Sequence, residues 1–305
     1  MKISLQSIYA RLPIVRELRS IQLLQMQSLA EIAGLQQNRK LLQTAALIQA
    51  LEAIKASDPR YKDPRRLLIH GAQNWSQNYE DGMIAEIFRR VPPQTKSFLE
   101  IGVGDGSENN TTALLAQGWH GWWMEGSPDN CSAIQARLAT MPSLATRLKV
   151  RQALVSPANI NEFLHDLEVP KEVDLFSLDI DLDTYHIWAA LPDFKPQVVV
   201  VEYNAGTGPS QSWIHPYKAD RMWDGTQAFG ASLKAFELLG RKHGYSLVGC
   251  DITGINAFFV RDDLVGDYFA APFTAENHYE PPRYHLWFRW GHPSVLFGES
   301  HDGGK

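Results

Sequence analysis

The feature that most constrains this chain is a short run in which apolar residues end on an acid and pass into alternating glycines: Ser97-Phe98-Leu99-Glu100-Ile101-Gly102-Val103-Gly104-Asp105-Gly106. A second apolar run, Gly121-Trp122-Trp123-Met124-Glu125, closes on another carboxylate. Glycine has no Cβ, so such a turn takes positive φ and lets a ligand lie against bare backbone. Asn109-Asn110-Thr111-Thr112-Ala113-Leu114-Leu115 reads as the helix start that follows, with Gly118 as its stop. An acid closing the second strand stands beside the first crossover, where it can accept hydrogen bonds from both hydroxyls of a ribose. A nucleoside site is the resulting expectation, against the plainer reading of a glycine-rich βα turn with an incidental Glu125. The spacing departs from the G-x-G-x-x-G loop that sets a pyrophosphate on a helix N-terminus. Glu100 and Asp105 would repel a diphosphate and suit a cationic ligand with an amino group, which makes a nicotinamide-dependent oxidoreductase the weaker alternative.

Strand-like and helix-like runs alternate along the middle of the chain. Apolar runs near 97–101, 121–125, 149–155, 173–179 and 197–203 are separated by helical stretches near 109–117, 128–139, 159–166 and 183–191. That order predicts an α/β fold, a Rossmann-like doubly wound sheet covered on both faces. Val198-Val199-Val200-Val201 is apolar without alternation, as a central parallel strand should be. A helix is expected over 226–243, stopped by Gly244, and then a closing hairpin of Tyr245-Ser246-Leu247-Val248-Gly249-Cys250 and Asn256-Ala257-Phe258-Phe259-Val260-Arg261.

Two further regions frame this core. Residues 1–60 are rich in Leu, Ile, Gln and Ala, with Leu5, Ile8, Leu12, Val15, Leu18, Ile21, Leu24 and Ile32 at helical steps, and predict two or more helices for oligomerisation or docking. Lys2, Arg11, Arg16 and Arg19 open a second possibility, contact with a membrane surface, which self-association outweighs. The segment 57–66 carries two prolines among charges and reads as a linker, leaving 61–305 as the main domain. Within it, 204–226 is too long for a plain connection and is expected to be a substrate loop, with Trp213, His215, Tyr217, Lys218, Arg221 and Trp223 either stacking on a polar ring or packing the loop down. The aromatic, proline-punctuated tail 268–305 is expected to form a lid or an interface.

The net charge of −5 lacks the basic footprint of bulk nucleic-acid binding, so nucleic acid is not an expected partner. Cys131 and Cys250 show no metal or disulfide spacing and read as unpaired thiols. No apolar run reaches membrane-spanning length and the chain opens on no signal-peptide pattern, which gives a cytoplasmic expectation.

In a doubly wound sheet, ligands bind outside the carboxyl ends of the strands. Two more ends carry polar residues there: Leu178-Asp179-Ile180-Asp181-Leu182-Asp183-Thr184-Tyr185-His186 and Val201-Glu202-Tyr203-Asn204. Asp179, Asp181 and Glu202 are a candidate oxygen set for Mg²⁺ or another divalent cation. The metal-free reading, in which Asp179 orients the ligand and Asp181 or Asp183 caps the next helix, is preferred. A base is then needed, and His186 or His215 is the candidate, with Tyr185 and Glu202 in reserve.

The stretch from Ser76-Gln77-Asn78-Tyr79-Glu80-Asp81-Gly82 through the glycine loop, Asn110-Thr111-Thr112 and Gly118-Trp119-His120-Gly121-Trp122-Trp123-Met124-Glu125 resembles the FkbM-type branch of the class I S-adenosylmethionine-dependent methyltransferases. The resemblance covers about residues 73–261 and is strongest over 76–127. It implies a seven-stranded sheet with one antiparallel strand, S-adenosyl-L-methionine as donor, and O-methylation of a sugar, glycan or other polar small molecule. Carried over by position, it implies Glu100, Gly102 and Gly104 at the methionine end with Asp105 beside them. Glu125 falls to the ribose with Ser127 next to it, and Asp179 to the sulfonium side as a catalytic candidate, while Gln77 and Asp81 complete the pocket. The chain departs from the family pattern after Leu178, and the 204–226 loop has no family counterpart, so acceptor identity stays open. A binding or scaffold protein that kept the fold without catalysis is the rival reading.

Overall fold

A computed structural model of the chain describes residues 13–219 and 223–283. The chain divides into two compact units, Met1–Glu52 and Ala53–Lys305. Of the region 1–60, where the sequence suggested two or more helices, the described residues form one helix from Pro13 to Ser57, and residues 1–12 lie outside the described ones. No proline interrupts it after the first position, and the lone Gly34 costs a helix interior only about 1 kcal/mol. Large apolar side chains are exposed along it, among them Ile21, Leu24, Leu29, Ile32, Leu35 and Leu42. No helix among the described residues is long and apolar enough to cross a membrane.

The second unit is built on seven strands: β1 (Ser97–Ile101), β2 (His120–Glu125), β3 (Leu148–Gln152), β4 (Leu175–Leu178), β5 (Val198–Glu202), β6 (Tyr245–Cys250) and β7 (Asn256–Arg261). Their order in the sheet is β3-β2-β1-β4-β5-β7-β6. The first five run parallel, while β7 is antiparallel to both β5 and β6. This is the seven-stranded sheet with one antiparallel strand that the sequence resemblance implied.

Both faces of the sheet are covered, which explains the unbroken apolar strands. Along β5, Val199 and Val201 face one core with Leu99, Ile101, Met124 and Phe259, while Val198 and Val200 face the other with Phe98, Trp123, Leu175 and Phe258. Successive side chains point to opposite faces, and here each face is buried. Cys131 and Cys250 are both buried and free.

Helix Leu233–His243 is shorter than the expected 226–243. It starts at Ser232, whose hydroxyl accepts from the Ala235 amide, and stops at Gly244 in the left-handed region. Residues before Ser232 are drawn off by loop contacts: Ile214 bridges Ala231, Asn204 bridges Ser232, and the Asn204 amide donates to the Gln227 and Phe229 carbonyls. Trp213 and His215 are buried in that knot, while Tyr217 and Lys218 are exposed. Arg221 lies outside the described residues, as do Leu5, Ile8, Leu12, Lys2, Arg11 and the tail beyond Arg283. Up to Arg283 the tail is fastened down, with Tyr203 donating to the Glu280 carbonyl and Tyr279 to that of Ala205.

Candidate functional site

The carboxyl ends of β1, β2 and β4 meet around the glycine loop. Gly102 (φ 83°) lies so close to β4 that an added Cβ would stand 1.7 Å from the Asp179 carbonyl oxygen. Gly104 (φ 57°) is the opposite case, since nothing lies within 4 Å of where its Cβ would be. Its Cα looks into open space, which is what a backbone cradle for a ligand requires.

Two cavities open on either side of this loop and share Gly102, Gly104, Asn130 and Asp179 as walls. The first, about 430 Å³, is polar, with Gln77, Asn78, Glu80, Glu100, Asp105, Asn110 and Asn256 in its lining. The second, about 340 Å³, adds Glu125 and an apolar wall of Met124, Ala153, Leu154, Val155, Ile180, Leu182 and Trp223. Leu154 is 77% exposed, a large apolar side chain presented to the opening rather than to the core.

Each acid has a distinct environment. Glu100 is buried and faces into the protein: Oε1 accepts from the Asn110 amide at 2.9 Å, and Oε2 from Asn109 Nδ2 at 2.6 Å and from the Thr111 amide and hydroxyl at 3.1 and 2.5 Å. Desolvation pushes its carboxyl up against these donors. It clasps the loop to the following helix Thr112–Ala116. Glu125 ends β2, with Oε2 accepting from the Gly104 amide at 2.9 Å and Oε1 from that of Ser127 at 2.8 Å. Ser127 caps the helix Pro128–Ala139. Asp105 is held by the Ser107 hydroxyl and by Arg137, which keep its carboxyl low.

Asp179, just past β4, is solvent-accessible on its cavity side although dense protein surrounds it elsewhere. That desolvation, with repulsion from Asp181 and opposed by a hydrogen bond from Glu202, raises it to about 6. The pairing of Leu178 with Val201 makes Asp179 and Glu202 neighbours at adjacent strand ends. Asp181, itself in the left-handed region (φ 53°), lines the second cavity with Asp179. Among the described residues no group of three or more His, Cys, Asp or Glu is placed to hold a metal ion. The expected oxygen set of Asp179, Asp181 and Glu202 is therefore not assembled among the described residues.

His186 and His215 come together, but outside both cavities. His186 Nε2 lies 2.8 Å from the His215 carbonyl oxygen. A carbonyl only accepts, so Nε2 carries the proton of this bond. Gln77 is exposed at the rim of the first cavity. Asp81 lies behind that cavity, its Oδ2 accepting the Asn74, Trp75 and Ser76 amides at 2.7, 2.7 and 3.0 Å and so shaping the lead-in loop. The sequence reading passed over Glu80, Asn130, Leu154 and Asn256. Leu154, an apolar residue past a strand end, carried a local signal, whereas Glu80 and Asn256 are joined only by the fold.

No protein-family model matches the chain, and no curated protein matches it. Among solved structures it is similar to an S-adenosylmethionine-dependent methyltransferase from Clostridium acetobutylicum, at 13% identity over 58% of this chain and 89% of that one, TM-score 0.37. It is also similar to the glycopeptide N-methyltransferase MtfA complexed with S-adenosyl-L-methionine, at 12% identity over 63% and 97%, TM-score 0.39. A third is the magnesium protoporphyrin IX methyltransferase of Synechocystis with bound SAH, at 12% identity over 54% and 73%, TM-score 0.36. Likeness at this level assigns neither substrate nor partner.

Proposed function

We propose that this chain is an S-adenosylmethionine-dependent O-methyltransferase acting on a hydroxyl of a sugar, a glycan or another polar small molecule, nearest in its Ser76–Glu125 stretch to the FkbM branch. The observation that carries this reading is the pair of cavities joined at Gly102 and Gly104, polar on one side, apolar on the other, with a carboxylate at each strand end. The residues fit the group. The open face of Gly104 supplies the cradle, Glu125 the acceptor for ribose hydroxyls, and Met124, Ala153, Leu154 and Val155 an apolar wall for a purine. Amides and acids of the first cavity suit a zwitterionic amino-acid end.

When bound, S-adenosylmethionine supplies an electrophilic methyl group. Asp179 stands where both cavities meet, and a carboxyl near 6 is largely ionised at neutral pH and able to take up a proton from an acceptor hydroxyl. Glu202, hydrogen-bonded to it, fixes its orientation. His186, which contacts the His215 backbone, is the second candidate base. Positioning of the acceptor by these walls supplies much of the rate, up to roughly 7–11 kcal/mol for well-aligned reactants. The exposed apolar residues of helix Pro13–Ser57 support self-association of the chain.

The test is calorimetry with S-adenosylhomocysteine. Wild type is expected to bind, and Glu125→Ala to bind at least about tenfold more weakly, a loss of roughly 1.4 kcal/mol. Equal affinity in the two would refute the assignment of the ribose site, and absence of binding to wild type would refute the reading itself.

A further inference from the structure

A third cavity, of about 320 Å³, opens under the end of the glycine loop, between helix Thr112–Ala116 and helix Pro128–Ala139. Among the described residues it shares only Ser107 with the polar cavity and none with the second one. Its volume falls within the range of small-molecule pockets, roughly 300–1,000 Å³. Leu115, Trp123, Ile134 and Leu138 make its walls. Trp123 Nε1 donates to the Thr111 hydroxyl at 2.7 Å, so the indole has only carbon left to offer the cavity. Trp75 and Met141 also line it, and they are 42% and 43% exposed. Two of the large apolar side chains exposed outside helix Pro13–Ser57 therefore belong to one opening, and clustered apolar exposure of this kind marks a binding surface.

Arg137 is the one charged residue among the described residues of this lining. Its Nη1 donates to the Asp105 carbonyl at 3.0 Å and its Nη2 to Asp105 Oδ2 at 3.4 Å. A guanidinium has five N–H groups, so three remain without a partner among the described residues, on a side chain 42% exposed. Asp105 lines the polar cavity and not this one, and its Oδ1 is taken by Ser107, so the acid lies across the guanidinium from the apolar walls. Apolar walls with a single cation at the solvent edge fit a molecule of matching polarity, one apolar body with one anionic end. The planar fork of arginine matches a carboxylate in particular.

We infer that this cavity is a second ligand site, which takes a small aryl or alkyl carboxylate with its apolar part against Trp75, Trp123 and Leu138 and its carboxylate on Arg137. The site is separate from the S-adenosyl cavities and stands or falls independently of the proposed transfer reaction.

The experiment is a ligand-observed NMR titration of the full chain at pH 7 with 4-phenylbutyrate, 4-phenylbutan-1-ol and 4-phenylbutylamine, which share the apolar part and differ in charge. On wild type the carboxylate is expected to bind about two- to fivefold more tightly than the alcohol, as for an exposed ion pair, and the amine most weakly. Ala116→Trp fills the cavity from an exposed position in its lining and should weaken all three by about tenfold or more. Arg137→Gln should bring the carboxylate to the level of the alcohol and leave the alcohol unchanged. Thermal melts check the fold of both variants. Equal affinity for the three probes on wild type would overturn the inference, as would 4-phenylbutyrate binding that Ala116→Trp leaves intact. Absence of 4-phenylbutyrate binding to wild type would overturn it too, and is the result expected if a second copy of the chain covers the opening instead.

Discussion

Substituting alanine at Gly102 and at Gly104 should separate what the loop does for the fold from what it does for the ligand. Both residues have positive φ, where a Cβ costs about 1–2 kcal/mol. At Gly102 the new methyl would also stand 1.7 Å from the Asp179 carbonyl oxygen. Relief requires β1 and β4 to part at this end, which strains the Gly102 amide bond to Met124 and the Asp179 amide bond to Ile101, each worth about 1 kcal/mol. The sum is about 3–4 kcal/mol, or a fall in Tm of roughly 10 °C for a domain of this size. At Gly104 no neighbour is met, so only the strain of about 1–2 kcal/mol remains and the melt moves by a few degrees. The methyl would, however, enter the shared wall of both cavities, and S-adenosylhomocysteine affinity should fall by about tenfold or more. Denaturant titration and calorimetry on the two variants read these quantities side by side. If Gly104→Ala binds as wild type does, or if Gly102→Ala is as stable as Gly104→Ala, the geometric reasoning is refuted.

Other outcomes follow from buried charge. Asp174→Ala should cost about 3 kcal/mol or more in urea unfolding, because its buried carboxylate accepts from the Gln94, Thr95 and Ser97 amides and the Thr95 hydroxyl; a loss below 1 kcal/mol would count against this. His278 is pushed down to about 3, chiefly by burial, so its folded pKa lies below the unfolded value near 6.5, and stability is lost as pH falls from about 6.5 toward 3; His278→Asn should flatten that limb of a stability–pH curve. Glu86, held at about 2 mainly by Arg89 and then Arg90, contributes stability above its unfolded pKa that disappears as pH falls from about 4.5 to 2, and Glu86→Gln should remove that slope. Light scattering of the full chain should give more than one subunit, and Leu24→Glu with Leu35→Glu should return it to a monomer.

The glycine loop, the strands and the closing hairpin were legible because local chemistry determines them: three glycines with positive φ, valines buried on both faces, a hairpin of alternating cores. The ligand-facing side chains were harder. Glu100 stands in the motif where an acid would meet a ligand, yet the amides and hydroxyl of Asn109–Thr111 claim it, an outcome that depends on how the chain turns after Gly106. The start of the helix at Leu233 was misplaced because residues 226–232 have apolar helical spacing but are held by Asn204 and Ile214 from across the loop. Glu80 and Asn256 meet only because the sheet brings the lead-in helix and the last strand to one edge.

The reversed direction of β7 has a consequence for how such a pocket can change. Every parallel strand offers the ligand edge its exit, but β7 offers its entrance, so Asn256 and the bend from Asp251 to Ile255 belong to the same rim as Gly104 and Asp179. That bend is a short, buried reversal between two paired strands, covered by the Glu280–Arg283 segment. A change in that bend would reach the polar cavity through Asn256 and would have to move the Glu280 and Pro281 carbonyls with it, so in this architecture the ligand rim and the C-terminal segment change together or not at all.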